Sequence, residues 1–214
     1  MTTAPLKNAL EEPFSEVIFS TNELITAQCY KESKPGSSSQ ISLIQGSLVK
    51  VKSSYDTSYE AFGIITKINN SSLDNIHRPS ALGLNPEELE RLQPQVYDLL
   101  KKELEILLFA HKDLNGCIIN YPPTKPMMIH DFVYLCSNKE IIELTSDLSS
   151  LINLIKKLKL KPEILIEPIT YGYKLRNNDY NYLVKAGQLL SLAFSDEIES
   201  LMQVLKRLSE HSKT

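Results

Sequence analysis

Two neighbouring side chains in the first half of the sequence, His77 and Arg78, are of the types that bind anions. Arginine presents its N–H donors as a rigid fork that fits a phosphate or a carboxylate. A structural role is the alternative, because Asp74 lies a few residues earlier and can pair with both side chains. We therefore take His77 and Arg78 as a candidate anion-binding or structural pair.

No motif in the sequence predicts catalysis or a bound cofactor. The seven glycines form neither the GxxxxGK loop that cradles nucleotide phosphates nor the GxGxxG turn of dinucleotide-binding folds. No GxSxG elbow surrounds a serine. His111, His130 and Cys136 do not share ligand spacing on one element, so we do not expect a metal site. The sequence thus predicts a protein that is not an enzyme and holds no cofactor.

Aromatic residues are dense in the stretch ITYGYKLRNNDYNY. Tyr171, Tyr173 and Tyr180 accompany Arg176 there, and tyrosine and arginine are enriched at protein interfaces. A helix break expected at Pro168 would place the cluster beside a turn, with its side chains exposed. These four residues are the candidate partner-binding residues, and burial in a core is the alternative.

Charge and hydropathy argue against some classes of protein. The chain has 23 basic and 26 acidic residues, which does not favour a general binder of nucleic acid or anionic membranes. The one basic cluster, Lys156–Lys161, follows a helical pattern, where the helix dipole favours lysine; a nucleic-acid contact is the alternative. No apolar run reaches the ~18 residues of a membrane span. Three widely spaced cysteines without a CxxC predict reduced, buried thiols and a cytoplasmic location.

The first elements that the sequence predicts after the N-terminal arm are β-strands. The stretch EVIFSTNELITAQCY, from Glu16, alternates and is rich in β-formers, and GSLVKV and FGIITKI predict a hairpin within Gly46–Asn69. The adjacent Ile64 and Ile65 predict a strand that is covered on both sides for part of its length. LEILLFAHK and MMIHDFVYLCS predict further strands, so that together they make a small barrel.

A helical insert, predicted over about 74–103, interrupts the strands. Asn85 precedes a proline and two glutamates, which is the pattern of a capped helix start. Pro94 predicts the start of a second helix, which would carry Leu99 and Leu100 inward.

Helical patterns replace strand patterns between Cys136 and Thr145. Several apolar stripes at helical spacing follow, and each would be stranded on a lone helix, so we predict that they pack as a small bundle. The last helix is predicted to be capped by Ser195. Its apolar stripe is predicted to enter the bundle core: Ile198, Leu201, Met202, Leu205 and Leu208.

The fold class is therefore α+β: a small antiparallel β-barrel with a helical insert, followed by a C-terminal helical bundle. We predict a flexible N-terminal arm over 1–15, the barrel with its insert over 16–140, and the bundle over 141–214. Because the pattern changes at one place, we expect fewer contacts between barrel and bundle than within each.

The order of these elements resembles the HAS-barrel proteins, named for the barrel shared by HerA-type ATPases and the catalytic subunits of ATP synthase. The stretches that carry the resemblance are GSLVKV, FGIITKI, HRPSALGL and NDYNYLVKAGQLLS, within about residues 16–210. The chain looks most similar to the stand-alone cyanobacterial members, which have a C-terminal helical region and no ATPase domain.

The resemblance implies a role in docking or complex assembly, since in those enzymes the barrel helps to assemble the ring and to dock accessory subunits. The expected partner is another protein or a multisubunit complex, and a homo-oligomer remains open. The alternative is an accessory partner of a nucleic-acid-processing ATPase, which would touch DNA or RNA through Lys156–Lys161.

Overall fold

The computed structural model describes residues 12–30, 43–56, 58–73, 80–113 and 115–211. The candidate pair His77 and Arg78 lies outside these residues, as does most of the predicted N-terminal arm.

The described residues form seven strands, and six of them close into an antiparallel barrel. Around the barrel the order is β1, β2, β5, β4, β3, β7 and back to β1, while β6 extends the sheet beyond β5. The strands are β1 Ser15–Ser20, β2 Leu24–Cys29, β3 Leu48–Lys52, β4 Glu60–Ser72, β5 Leu100–Lys112, β6 Ile118–Ile119 and β7 Phe132–Leu135. The barrel predicted from the alternating patterns is confirmed.

The predicted hairpin is formed by β3 and β4, in which Val49 lies opposite Gly63. Ile64 and Ile65 are both fully buried, Ile65 inside the barrel and Ile64 against the helices outside it. The prediction of a strand covered on both sides is therefore confirmed. Gly63 permits this packing, because a Cβ there would lie 2.5 Å from Cγ2 of Ile106.

The insert between β4 and β5 holds two short helices, α1 Pro86–Leu92 and α2 Gln95–Asp98. Asn85 caps α1 as predicted, in a reciprocal capping box with Glu88. Neither helix buries a residue. The prediction that Leu99 and Leu100 point inward is wrong, since both are exposed and Leu100 already belongs to β5.

Leu99 and Leu100 are exposed because the β4–β5 ribbon extends beyond the neighbouring strands. β3 pairs with β4 only as far as Ile64, and β2 pairs with β5 only from Glu103 onward. Toward Ser72 and Leu100, the two strands pair only with each other among the described residues. The ribbon therefore carries the insert away from the barrel.

The remaining helices follow β7 and are mutually packed. They are α3 Asn138–Leu144, α4 Ser149–Lys157, a 3-10 helix Pro162–Leu165, α5 Ile166–Leu175, α6 Tyr180–Ala193 and α7 Ile198–His211. Pro168 lies in the first turn of α5, where its missing N–H costs nothing, so the predicted break there is wrong. Ser195 does not cap α7, because residues 194–197 form a turn in which Glu197 N–H bonds to the Phe194 carbonyl at 3.0 Å.

Barrel and helices share a hydrophobic core. One cluster fills the barrel interior, and a second joins the outer wall of the barrel to the helices. The wall residues of this second cluster are Leu48, Phe62, Ile64, Leu107 and Phe109. The two parts therefore meet through buried apolar side chains, because both faces of β4 and β5 are apolar where the helices cover them.

An ion pair reinforces the same boundary. Lys50 of β3 donates to Glu140 of α3 at 2.9 Å, and both side chains are largely buried. α3 was not predicted, although its N-terminal capping box, Ser137 with Glu140, is readable in the sequence SNKE. Among the helices of the described residues, none combines the length and the apolar character needed to cross a bilayer.

Candidate functional site

Two of the four predicted partner-binding residues are not fully exposed, since Tyr173 is buried and Arg176 is half-buried. Tyr173 is 6% exposed and belongs to the shared core. Arg176, at the end of α5, donates to the Ile142 carbonyl at 2.6 Å, to the Gly172 carbonyl at 2.8 Å and to Thr145 Oγ1 at 3.0 Å. The prediction of an exposed side chain is wrong for Tyr173, which takes the alternative of burial in the core, because α5 continues through its proline and packs on α3.

A glycine allows this clamp to form. A Cβ on Gly172 would lie 2.8 Å from the Tyr182 hydroxyl and 2.9 Å from Thr145 Oγ1, so only glycine lets the helices approach this closely. The Arg176 guanidinium stacks over the Tyr182 ring at 4.3 Å, and burial raises the pKa of the Tyr182 hydroxyl. These contacts give Arg176 a structural role between α3, α5 and α6.

The other two predicted residues are exposed. Tyr171 donates a hydrogen bond to Asn138 Oδ1 at 3.2 Å, at the start of α3. Tyr180 is 66% exposed at the first position of α6. Of the four predicted residues, Tyr180 is the one that lies among other exposed apolar side chains.

Those side chains form what we call the α6–α7 face. It consists of Tyr180 and Val184 on α6, with Ile198 and Met202 on α7, which are 66%, 42%, 66% and 61% exposed. Tyr180, Val184 and Gly187 recur at helical spacing on one side of α6. Gly187 lies against α7, since a Cβ there would be 3.6 Å from Leu205 Cδ2.

The same rule places the residues of α7. Met202 lies one turn and Ile198 two turns before Leu205, on the same side of the helix. Residues 194–197 join α6 to α7, so the two exposed pairs extend from the Gly187–Leu205 contact in opposite directions. The face therefore comprises two apolar pairs on neighbouring helices, and exposed apolar surface of this kind is a candidate interaction site.

The prediction that the whole apolar stripe of α7 enters the core is wrong for Ile198 and Met202. The core takes Leu201, Val204 and Leu208, which recur at helical spacing of their own. The helix carries a second, adjacent stripe that this core does not cover. In the sequence, distinguishing the stripe that contains Ile198 and Met202 from the core stripe would have predicted the exposed face.

Two opposite charges border the α7 side of the face. Glu199 and Lys206 are seven residues apart, which places them on one edge about 10.5 Å from each other along the axis. Neither makes a side-chain hydrogen bond or ion pair with another residue in the described part of the chain.

The basic run Lys156–Lys161 is partly taken up by contacts within the fold. Lys156 donates to the Ala193 carbonyl and to Asp196 at 2.8 Å, and that hydrogen bond lowers the pKa of Asp196. Lys157 pairs with Glu23 at 3.2 Å, in the turn between β1 and β2. The first two lysines therefore tie α4 to neighbouring elements.

The remaining chemistry-bearing side chains are dispersed. Within the described ranges, no three His, Cys, Asp or Glu side chains are grouped to hold a metal ion. His130 pairs with Glu16, which also accepts a hydrogen bond from Tyr30 at 3.2 Å. Partial burial, then the charge of Glu16, raises the pKa of Tyr30 to about 12.

The cysteines do not form a site either. None of the three is in a disulfide, and the prediction of buried thiols holds for Cys136 alone, since Cys117 is exposed and Cys29 is only partly buried. Complete burial raises the pKa of the Cys136 thiol well above its ordinary value, which makes it a poor nucleophile.

Fold and surface together define a closed antiparallel β-barrel that shares a core with a helical bundle and presents an apolar face on its last two helices. No family model matches the chain, and no curated protein matches it either.

Proposed function

We propose that the chain is a non-catalytic protein-docking module that joins a larger assembly through the α6–α7 face. The observation that carries the proposal is the exposure of four apolar side chains on the last two helices, whose other apolar stripes are buried. Exposing them to water is unfavourable by about 25 cal/mol per Å² of apolar surface, and a protein partner would remove that cost.

The resemblance to the HAS-barrel proteins supports the same role by analogy. It rests on the stretches quoted above and agrees with a barrel followed by helices. A cytoplasmic location is part of the proposal, since none of the three cysteines is in a disulfide.

The test is the native size of the tagged chain in extracts of its own cell. We expect the parent chain to elute in an assembly larger than its own 24.2 kDa. Met202→Glu should release it, because a carboxylate in the centre of the face cannot be buried without a partner. The matched control is Gln203→Glu, which adds the same charge to an exposed neighbouring position on α7 outside the face.

The proteins that co-elute with the parent and with the Gln203→Glu chain, and are lost from the Met202→Glu chain, are the partners. If all three chains elute alone, or if Met202→Glu changes nothing, the face does not dock the chain into an assembly.

A further inference from the structure

We propose that the partner covering the α6–α7 face is a second copy of this chain, with the two α7 helices packed antiparallel about a twofold axis. The inference rests on the proposed function, whose docking face it uses, and it names the occupant of that face.

The spacing of the exposed stripe on α7 is that of a two-helix seam. Ile198, Met202 and Ser209 are exposed, Leu205 between them is partly buried against the bundle core, and the four follow one another in steps of four, three and four residues. Steps of this kind keep side chains on the line where two helices can interdigitate. A different stripe, made of Leu201, Val204 and Leu208, already packs α7 into the bundle core. The fold of the single chain therefore does not require a second apolar stripe on this helix.

The charges beside the seam fit a copy that runs in the opposite direction. When Met202 of one chain lies opposite Leu205 of the second copy, Glu199 comes opposite Lys206 of the second copy. The twofold axis repeats the same pair with the roles exchanged. One acidic and one basic residue thus make two ion pairs, and in coiled coils such flanking pairs set orientation and partner choice.

A parallel arrangement leaves these charges without partners. There, the residues on the Glu199 edge would face the opposite edge of the seam, which is occupied by Leu201 and Leu208. Both leucines are already buried in the bundle of their own chain. The charge pattern therefore selects the antiparallel pair.

The neighbouring helix α6 lies beside the seam, where Gly187 approaches Leu205. A second α7 lying along the seam would bury Ile198 and Met202, which are exposed in the single chain. One occupant with a self-complementary surface then covers the exposed apolar side chains of α7.

The first measurement is the mass of the purified full chain by sedimentation velocity over a range of concentrations. We expect the parent and Gln203→Glu chains to reach twice the 24.2 kDa of the monomer. Met202→Glu should remain monomeric with an unchanged circular dichroism spectrum, since Met202 is exposed and its change leaves the core intact. A parent chain that stays monomeric at every concentration overturns the inference. The extract experiment then still decides whether another protein binds the face.

The second measurement tests the antiparallel register by exchanging charges. Glu199→Lys alone, or Lys206→Glu alone, places like charges opposite each other at both sites and should raise the dissociation constant at least about tenfold at low salt. The double variant should restore the parent value. The two single variants, mixed, should form a heterodimer, since one chain then carries only lysines at these positions and the other only glutamates. If the double variant stays weak, or the mixture stays monomeric, the proposed antiparallel packing is overturned.

Discussion

At the scale of single residues, the Arg176 side chain connects three helices. Its guanidinium bonds to two backbone carbonyls and to Thr145, and it lies over the Tyr182 ring. Hydrogen bonds from a charged donor contribute about 1.5–3 kcal/mol, and the acceptors lose their partner when the donor is removed. The residue is therefore more important for folding than for recognition.

Arg176→Ala should lower the free energy of unfolding by about 2 kcal/mol, because the Ile142 carbonyl of α3 and the Gly172 carbonyl of α5 lose their donor. The measurement is urea denaturation followed by circular dichroism. Lys174→Ala is the control, since Lys174 is exposed on the same helix and its loss should cost less than ~0.5 kcal/mol. Equal stability of both variants would return Arg176 to the set of candidate partner-binding residues.

The composition of the sequence could not predict whether Tyr173 and Arg176 are buried or exposed. Tyrosine and arginine are enriched at interfaces, and they also fill amphipathic positions between packed helices. The burial of these side chains depends on Gly172, whose missing side chain lets α5 approach α6. Because that approach depends on how two helices pack, the sequence of one helix does not predict it. Capping signals are local, and the one at Asn85 was predicted correctly for this reason.

At the scale of elements, α3 is fastened to β3 by Lys50 and Glu140. Burial by itself would raise the pKa of Glu140, but hydrogen bonds from Lys50 and Ser137 outweigh it and hold that pKa below its ordinary value. A carboxyl with a lowered pKa stabilises the fold above its unfolded pKa, near ~4.3. This contribution is lost as the pH falls through the folded pKa.

Glu140→Gln should therefore lower the free energy of unfolding by about 2 kcal/mol at neutral pH, between the values for exposed and for fully buried pairs. Glutamine keeps the capping box, so the change isolates the ion pair. The difference from the parent should shrink as the pH falls below about 4 and through the lowered folded pKa, because the parent carboxyl then becomes protonated as well. Urea titrations at several pH values measure it, with the exposed Glu143→Gln as control. If the difference in free energy of unfolding does not change with pH, the charged Lys50–Glu140 pair does not contribute to stability.

The insert illustrates what local patterns predict and what they omit. The starts of α1 and α2 follow from prolines and a cap that act within one turn. The burial of their leucines depends on how far the β4–β5 ribbon extends beyond its neighbours, which is set by pairing with distant strands. Pairing between elements far apart in sequence leaves no local signal.

At the scale of the whole molecule, the barrel and the bundle share a core, and we expect the complete chain to unfold as one cooperative unit. Leu48, Phe62 and Phe109 of the barrel wall pack against the helices, so neither part can lose its structure without exposing the other. Strand and helix patterns were enough to predict both architectures. The apolar outer wall was visible only as the adjacent pair Ile64 and Ile65.

Urea unfolding should consequently show one transition. Far-ultraviolet circular dichroism, dominated by the helices, and the near-ultraviolet signal of the tyrosines should have the same midpoint. Phe62→Ala, at a fully buried wall position, should move both midpoints together by the same amount, through a loss of about 3–5 kcal/mol. Separate midpoints for the two signals would mean that barrel and bundle unfold as independent domains.

The position of the barrel wall also has a consequence for synthesis of the protein. The ribosome completes β7 at Leu135, whereas the helices that cover the wall come from the residues that follow. At ~5–20 residues per second, translating the rest of the chain takes on the order of ten seconds. During that interval the nascent barrel displays Leu48, Phe62 and Leu107 to the surrounding solution. Chaperones that hold apolar surface therefore have a defined target on this nascent chain, and a product truncated within the helices would keep that target exposed.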